Sequence, residues 1–96
     1  MITVSQPRFR LGTVVATPDA IAALQRVGQS PWTLLSQHVV GRWGNLDEED
    51  KQANDDALVH GGRLFSSYLL QDGVTTVWCI TEADRSSTCL LLPGNY

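Results

Sequence analysis

Residues 63–92 contain three apolar runs separated by turn residues, and they predict a three-stranded antiparallel meander. The runs are RLFSSYLLQ, VTTVWCITE and STCLLL, and the turns are Asp72-Gly73 and residues 83–86. An Asp-Gly pair between such runs is typical of a type I′ hairpin turn, which needs positive φ at both central residues. A turn centred there sets the pairing of the first hairpin: Tyr68 with Val77, Ser67 with Trp78, Phe65 with Ile80, and Arg63 with Glu82.

The N-terminal half predicts one strand and three helices. Residues 1–7 are expected to be a loose start, and FRLGTVVA (Phe9 to Ala16) is expected to be an edge strand. Thr17-Pro18-Asp19 and Ser30-Pro31 are typical helix openings, and Asp47 is typical of the cap of a third helix. Glycines follow each predicted helix and end it. The expected inward stripes are Ile21, Leu24 and Val27 in the first helix, and Trp32, Leu35 and Val39 in the second.

The whole chain, residues 1–96, is therefore expected to form a single α+β domain in the order β-α-α-α-β-β-β. Both faces of the predicted sheet are partly apolar, which favours cover on both sides. The helices would cover one face, and the N-terminal strand or a second subunit would cover part of the other. The second alternative predicts a homodimer.

Composition narrows the classes of function. The net charge is −3, with seven Lys and Arg against ten Asp and Glu, which argues against broad nucleic-acid binding. No apolar run is long enough to span a bilayer, and MITVSQPRFR lacks the pattern of a signal peptide, so a cytoplasmic location is expected. No phosphate-loop, dinucleotide or HExxH motif is present, and no cofactor is expected.

The two cysteines are expected to be free, buried thiols. A four-residue loop at 83–86 places Ile80 opposite Cys89 and turns Cys79 to the other face; a three-residue loop would place the two sulfurs opposite each other. Neither cysteine has zinc-ligand spacing, so no metal site is predicted.

The predicted topology brings one polar cluster together. The 83–86 loop, the start of the first meander strand and the end of the third helix should meet at one end of the sheet. The residues expected there are His60, Arg63, Glu82, Asp84 and Arg85, with Ser86 nearby. On the third helix, Asp50 and Asn54 lie beside a stripe of small residues, where they either brace a neighbouring segment or face a partner.

Three interpretations of this cluster stay open. In the first it is a brace, in which Arg63 pairs with Glu82 and Asp84 shapes its turn. In the second it binds a protein partner, since Arg forks onto carboxylates and Trp and Tyr supply rigid contact area. In the third it is the site of a metal-independent ribonuclease of the toxin type, with His60 or Glu82 as general base and Arg63 and Arg85 holding the phosphate. His38, beside the stripe of the second helix, is expected to be structural.

Three segments resemble a family of short bacterial proteins described as plasmid-related and found on mobile elements. They are GRWGNLDEEDKQANDDAL (Gly41 to Leu58), GGRLFSSY (Gly61 to Tyr68) and WCITEADRSSTCLLLPGNY (Trp78 to Tyr96). The family has no established activity, so the resemblance implies an accessory role on a mobile element and no catalytic residue. The function expected from residues and resemblance together is that of a small accessory or regulatory protein that binds another protein, with the ribonuclease as the alternative.

Overall fold

The computed structural model describes residues 6–96; residues 1–5, part of the expected loose start, lie outside the described residues. The elements follow in this order: β1 (Thr13–Ala16), α1 (Pro18–Arg26), α2 (Trp32–His38), α3 (Glu48–His60), β2 (Leu64–Leu69), β3 (Thr76–Thr81) and β4 (Ser87–Leu91). A 3₁₀ turn, Pro93–Asn95, follows β4. The α+β class and the order of elements are confirmed.

The sheet differs from the expected three-stranded meander. It has four strands in the order β1-β4-β3-β2, and β1 joins it parallel to β4. The antiparallel meander of β2, β3 and β4 is present within it. The expected N-terminal edge strand is confirmed, but it begins only after Gly12, whose φ of +66° interrupts the extended backbone. A Cβ at this position would lie 2.3 Å from the Ser86 carbonyl oxygen, so the position requires glycine.

The predicted register is confirmed, although the turn that sets it is of another kind. Tyr68 pairs with Val77, Phe65 with Ile80, and Ile80 with Cys89. In the first turn, Gly73 has positive φ and Asp72 does not, so the turn is not type I′. Instead the Asp72 carboxylate accepts hydrogen bonds from the backbone N–H groups of Val74 and Thr75. The loop is one residue longer on each side than a two-residue turn, since the Leu70 N–H bonds the Thr75 carbonyl and closes it. Its centre stays at Asp72-Gly73, so the register is unchanged.

The helices cover one face of the sheet. This covered face carries the apolar core, formed by residues from all three strands of the meander together with α1 and α2: Ala20, Ala23, Leu24, Leu34, Leu35, Tyr68, Leu70, Val77, Cys79 and Leu90. The inward stripes of the first two helices were predicted partly wrongly, since Ile21 is 42% and Trp32 is 61% exposed. The small residues Ala20 and Ala23 face the sheet instead, because α1 packs close to β4.

A chain of buried hydrogen bonds crosses this covered face. His38 of α2 has its Nδ1 against the Ser66 hydroxyl and its Nε2 2.9 Å from Thr81 Oγ1. Thr81 Oγ1 lies 2.7 Å from Thr88 Oγ1, and the Thr88 hydroxyl donates to the Leu11 carbonyl at 2.8 Å. The four side chains are fully buried.

The final carbonyl fixes the direction of three of the four bonds in the chain. The Thr88 hydroxyl has one proton and donates it to the Leu11 carbonyl. Thr81 must therefore donate to Thr88, and the imidazole Nε2–H must donate to Thr81. Burial lowers the pKa of His38, so the imidazole is neutral at neutral pH and its Nδ1 accepts from the Ser66 hydroxyl. The ring is buried and bonded at both nitrogens, which confirms the structural role expected for His38. The rings of Phe9 and Trp43 enclose it, with centroids 5.1 Å and 5.7 Å away.

Burial lowers the pKa of His38 from 6.5 to about 4, and this shift predicts a loss of stability in acid. Between pH 6.5 and 4 the unfolded chain binds a proton that the folded chain does not, so the free energy of unfolding falls as the pH is lowered through this range, by roughly 3 kcal/mol in total. Urea unfolding at several pH values measures it. His38→Gln serves as the control, because it keeps a donor and an acceptor and loses this part of the pH dependence. An equal dependence in His38→Gln and the wild type would contradict the assignment.

Candidate functional site

Arg63 and Glu82 form the ion pair that the register predicts. Arg63 Nε lies 3.0 Å from Glu82 Oε2, and Arg63 Nη2 lies 3.2 Å from Glu82 Oε1, so the contact is bidentate. Arg63 Nη1 also donates to the hydroxyl of Tyr96 at 3.1 Å. The hydrogen bonds to Glu82 and Tyr96 raise the pKa of Arg63. Both members of the pair are about half exposed and lie on the open face, the face of the sheet opposite the helices.

Arg85 lies at the same end of the sheet but reaches to the other side. Its guanidinium donates to the carbonyls of Ala57, Gly62 and Glu82, and so satisfies carbonyl groups at the end of α3. Its Cζ lies 5.9 Å from the centroid of the Phe9 ring. Arg85 has φ of +62°, a left-handed conformation that directs the chain through the turn. Arg85 is thus a brace between the β3–β4 loop and α3.

The remaining members of the predicted cluster are distributed around this turn. Asp84 accepts a hydrogen bond from the Ser86 N–H at 2.9 Å, and the bonds from Ser86 lower the pKa of Asp84. His60 is exposed and is the last residue of α3. The sequence therefore predicted the meeting of these segments correctly, yet the sheet divides Arg63 and Glu82 from Arg85.

Asp50 and Asn54, predicted to act together on α3, lie in different environments. Asp50 is exposed in the first turn of α3, where its N–H donates to the capping carboxylate of Asp47. Asn54 is buried, and its amide forms a two-bond contact with the backbone of Phe65: Nδ2 lies 2.7 Å from the carbonyl oxygen, and Oδ1 lies 3.0 Å from the nitrogen. Asn54 therefore braces α3 against the edge of β2.

The open face contains an apolar concavity beside the ion pair. Opposed residues share a face, so the pairing of Phe65 with Ile80 and of Trp78 with Leu91 places all four side chains there. The concavity measures about 240 Å³ and is lined by Arg63, Phe65, Trp78, Ile80 and Tyr96. A second hollow, of about 220 Å³, shares Arg63, Ile80 and Tyr96 and extends to Glu82, Ser87, Cys89 and Leu91.

Aromatic edges shape the wall of the concavity. The Phe65 and Trp78 rings are perpendicular, with centroids 5.0 Å apart, and the Tyr96 ring meets Trp78 at 6.0 Å. Edge-to-face pairs of this kind are favourable and hold the rings in fixed orientations. The hydrogen bond from Arg63 positions the Tyr96 hydroxyl at the rim. The site therefore offers preformed apolar contact area next to a polar, charge-balanced edge.

The thiol beside the concavity is not activated. Cys89 faces the second hollow, but burial raises the pKa of its thiol, which keeps it protonated at neutral pH. Within residues 6–96, no group of three His, Cys, Asp or Glu side chains is placed to hold a metal ion. No helix in the same range is long and apolar enough to cross a membrane.

Sequence reasoning found the ion pair and missed the concavity. The alternation of side chains along the predicted strands places Phe65, Trp78 and Ile80 on one face, and this is the signal that could have identified the floor of the concavity. The contribution of Tyr96 depends on the 3₁₀ turn after β4, which returns the chain over β3. No family model, curated protein or solved structure matches the chain. The resemblance to the plasmid-related proteins thus stays an expectation.

The separation of the two arginines predicts different consequences for stability. Arg85→Ala is expected to lower the free energy of unfolding by about 2 kcal/mol, since it leaves half-buried carbonyls without their charged donor. Arg63→Ala should leave stability unchanged, because its ion pair is exposed to solvent. Urea denaturation of the two variants tests this, and a larger loss for Arg63→Ala would contradict it.

The hydrogen bonds of Asn54 are expected to stabilise the edge of β2. Asn54→Ala should cost about 2–3 kcal/mol, because it removes both hydrogen bonds to Phe65 and leaves a gap. The amide of Phe65 should also exchange faster with solvent. Asp50→Ala, at an exposed position of the same helix, is the control and should change little. Unaltered exchange at Phe65 in Asn54→Ala would show that the brace is dispensable.

Proposed function

We propose that this protein acts by binding another protein through the open face of its sheet, as a small accessory or regulatory protein of the cytoplasm. One observation carries the proposal: an aromatic concavity lies on the uncovered face, directly beside a bidentate ion pair. The resemblance to plasmid-related proteins of mobile elements is consistent with such a role. The sequence's expectation of a binding surface made of Arg, acid and aromatic groups is kept, with Arg63 and Glu82 as its polar part.

The residues around the concavity are those that dominate protein interfaces. Trp, Tyr and Arg are enriched among residues whose truncation costs most binding energy, and here Trp78, Tyr96 and Arg63 are adjacent. Leu69, which is 48% exposed, and Val15, which is 46% exposed, extend the apolar surface along the same face. A contiguous apolar surface with a polar rim is typical of an interaction site.

The size of the concavity favours an inserted side chain. Small-molecule sites commonly enclose about 300–1,000 Å³, and this concavity is smaller, at about 240 Å³. A leucine, methionine or aromatic side chain of a partner could enter it while its backbone follows the face. Because Arg63 and Glu82 balance each other's charge, we expect the partner to be selected by shape and apolar contact more than by net charge.

The ribonuclease alternative gains no support from the arrangement of the arginines. Arg85, one of its two phosphate-binding candidates, is engaged with three backbone carbonyls. Arg63, the other, is held by Glu82, which is itself one of the two candidate bases. Neither hollow is lined by His60, the second candidate base. These contacts therefore favour the binding proposal over the ribonuclease.

Photo-crosslinking in cells that express the protein tests the proposal. Replacing Tyr96 with p-benzoyl-phenylalanine places the reactive group at the rim of the concavity, on a side chain that is 71% exposed. We expect a discrete protein adduct that an excess of the untagged wild-type chain suppresses. Val59 of α3, 76% exposed on the helix layer, carries the same group in the control and should not give that adduct.

Ile80→Glu in the crosslinking variant sharpens the test. A carboxylate on the floor of the concavity should abolish the adduct through its cost of desolvation, while circular dichroism confirms that the fold is retained. Failure to obtain a saturable adduct at position 96, or an adduct that survives Ile80→Glu in the folded protein, would refute binding at this face.

A further inference from the structure

The two edges of the sheet differ in how far other segments of the chain cover them. The outer edge of β2 is covered, since Asn54 bonds both backbone groups of Phe65, and the Trp43–Asn45 segment bonds those of Ser67. The outer edge of β1 is the other edge of the sheet. Free edges are templates for pairing with another strand. The edge of β1 is therefore a candidate interaction surface separate from the open face.

The backbone of β1 shows which groups are available. The N–H groups of Thr13 and Thr17 point to β4, where they bond the carbonyls of Ser86 and Leu90. Strand geometry has a period of two, so the backbone groups of Val14 and Ala16 point outward. Within residues 6–96, nothing bonds these outward groups. Two donors and two acceptors therefore stand at β-strand spacing.

The residues of β1 do not discourage pairing. Its sequence, TVVA, has no Lys, Pro or charged residue, which are the usual protection of an edge. Val14 and Val15 are 37% and 46% exposed, and Ile21 on the following helix is 42% exposed. A strand placed along this edge would cover apolar side chains as well as satisfy backbone groups.

We propose that two copies of this chain pair through β1, antiparallel and around a two-fold axis at Val15, so that their sheets join into one of eight strands. The outward residues Val14 and Ala16 flank Val15 symmetrically. Val14 of each copy therefore meets Ala16 of the other as a hydrogen-bonded pair that exchanges both N–H···O bonds. All four outward donors and acceptors are satisfied by the same segment of the second copy, which makes the edge self-complementary.

Charge also favours the antiparallel arrangement. Arg10 precedes β1 and Asp19 follows it, and both are exposed. Antiparallel pairing brings Arg10 of each copy to the end of the strand where Asp19 of the other lies, so opposite charges approach twice. A parallel arrangement would place like charges together. The contact is short, well below the area of about 1,200 Å² typical of stable complexes, so the dimer is weak and forms in a concentration-dependent manner.

Sedimentation equilibrium at increasing concentration, up to about 1 mM, tests the association. We expect the average mass to rise from monomer towards dimer, and Val14→Pro to weaken the dimer about tenfold or more by removing an outward N–H from each copy. This substitution spares pairing with β4, since the Val14 N–H points away from it.

Ile80→Glu, on the open face, should leave dimerisation unchanged. This control separates the two surfaces: a dimer lost in Ile80→Glu and kept in Val14→Pro would place the contact on the open face and overturn the proposal.

A cysteine crosslink tests the register and does not depend on the proline variant. Val15 neighbours Cys89 on β4, so Val15→Cys is made together with Cys89→Ser to prevent an internal disulfide. At the two-fold axis the two position-15 Cα atoms would lie about 4.5 Å apart, within the span of a disulfide. Mild oxidation should give a covalent dimer, whereas Thr76→Cys in the same background should not. A wild-type monomer at every concentration, or no crosslink at position 15, would disprove the pairing.

Discussion

The fold depends on satisfying a chain of polar groups inside its core. His38 extends from α2 to all three strands of the meander, through Ser66 of β2, Thr81 of β3 and, by way of Thr81, Thr88 of β4. The chain ends at the Leu11 carbonyl, just before β1. Buried hydroxyls and imidazoles are tolerated only when they are paired, so the register of the strands, the position of α2 and the start of the chain have to agree.

The two side-chain braces at α3 have a related consequence. Asn54 holds the middle of α3 to the edge of β2, and Arg85 holds its end to the β3–β4 loop. The side chains of Asn54 and Arg85 therefore form their hydrogen bonds on the helix-covered side of the sheet. Arg63 and Glu82 face the other way and pair across the hairpin, where the apolar side chains of the open face surround them. Uncovered apolar area and the unshielded ion pair thus occur on the same face, and this coincidence is the reason to locate binding there.

The sequence predicted local geometry better than it predicted packing between distant segments. Thr17 and Asp47 cap their helices as expected, since a cap requires only the next three residues. The hairpin register followed from the position of each turn in the sequence, which is also local information. Pairing of β1 with β4 joins Thr13 to Ser87, and nothing in either segment specifies the other. The inward stripe predicted for α1 is wrong in part because close contact with the sheet selects the small side chains of Ala20 and Ala23. In α2 the buried face is rotated and contains Leu34 and His38 in place of Trp32. The importance of Tyr96 was invisible for a similar reason, since its ring matters only where the turn after β4 returns it to Trp78.

The two proposed surfaces reinforce each other geometrically. Directly opposed residues of antiparallel strands lie on one face of a sheet, so a two-fold axis at Val15 is perpendicular to the sheet and turns both open faces to the same side. The two aromatic concavities would then form parts of one continuous surface. A partner with two suitable side chains, or a symmetric partner, would bind such a dimer with a higher apparent affinity than it binds one chain, since the second contact becomes intramolecular. A weak edge contact would in this way be strengthened by the partner that bridges it, because any ligand that prefers the dimer stabilises it by the difference in its affinity for the two states.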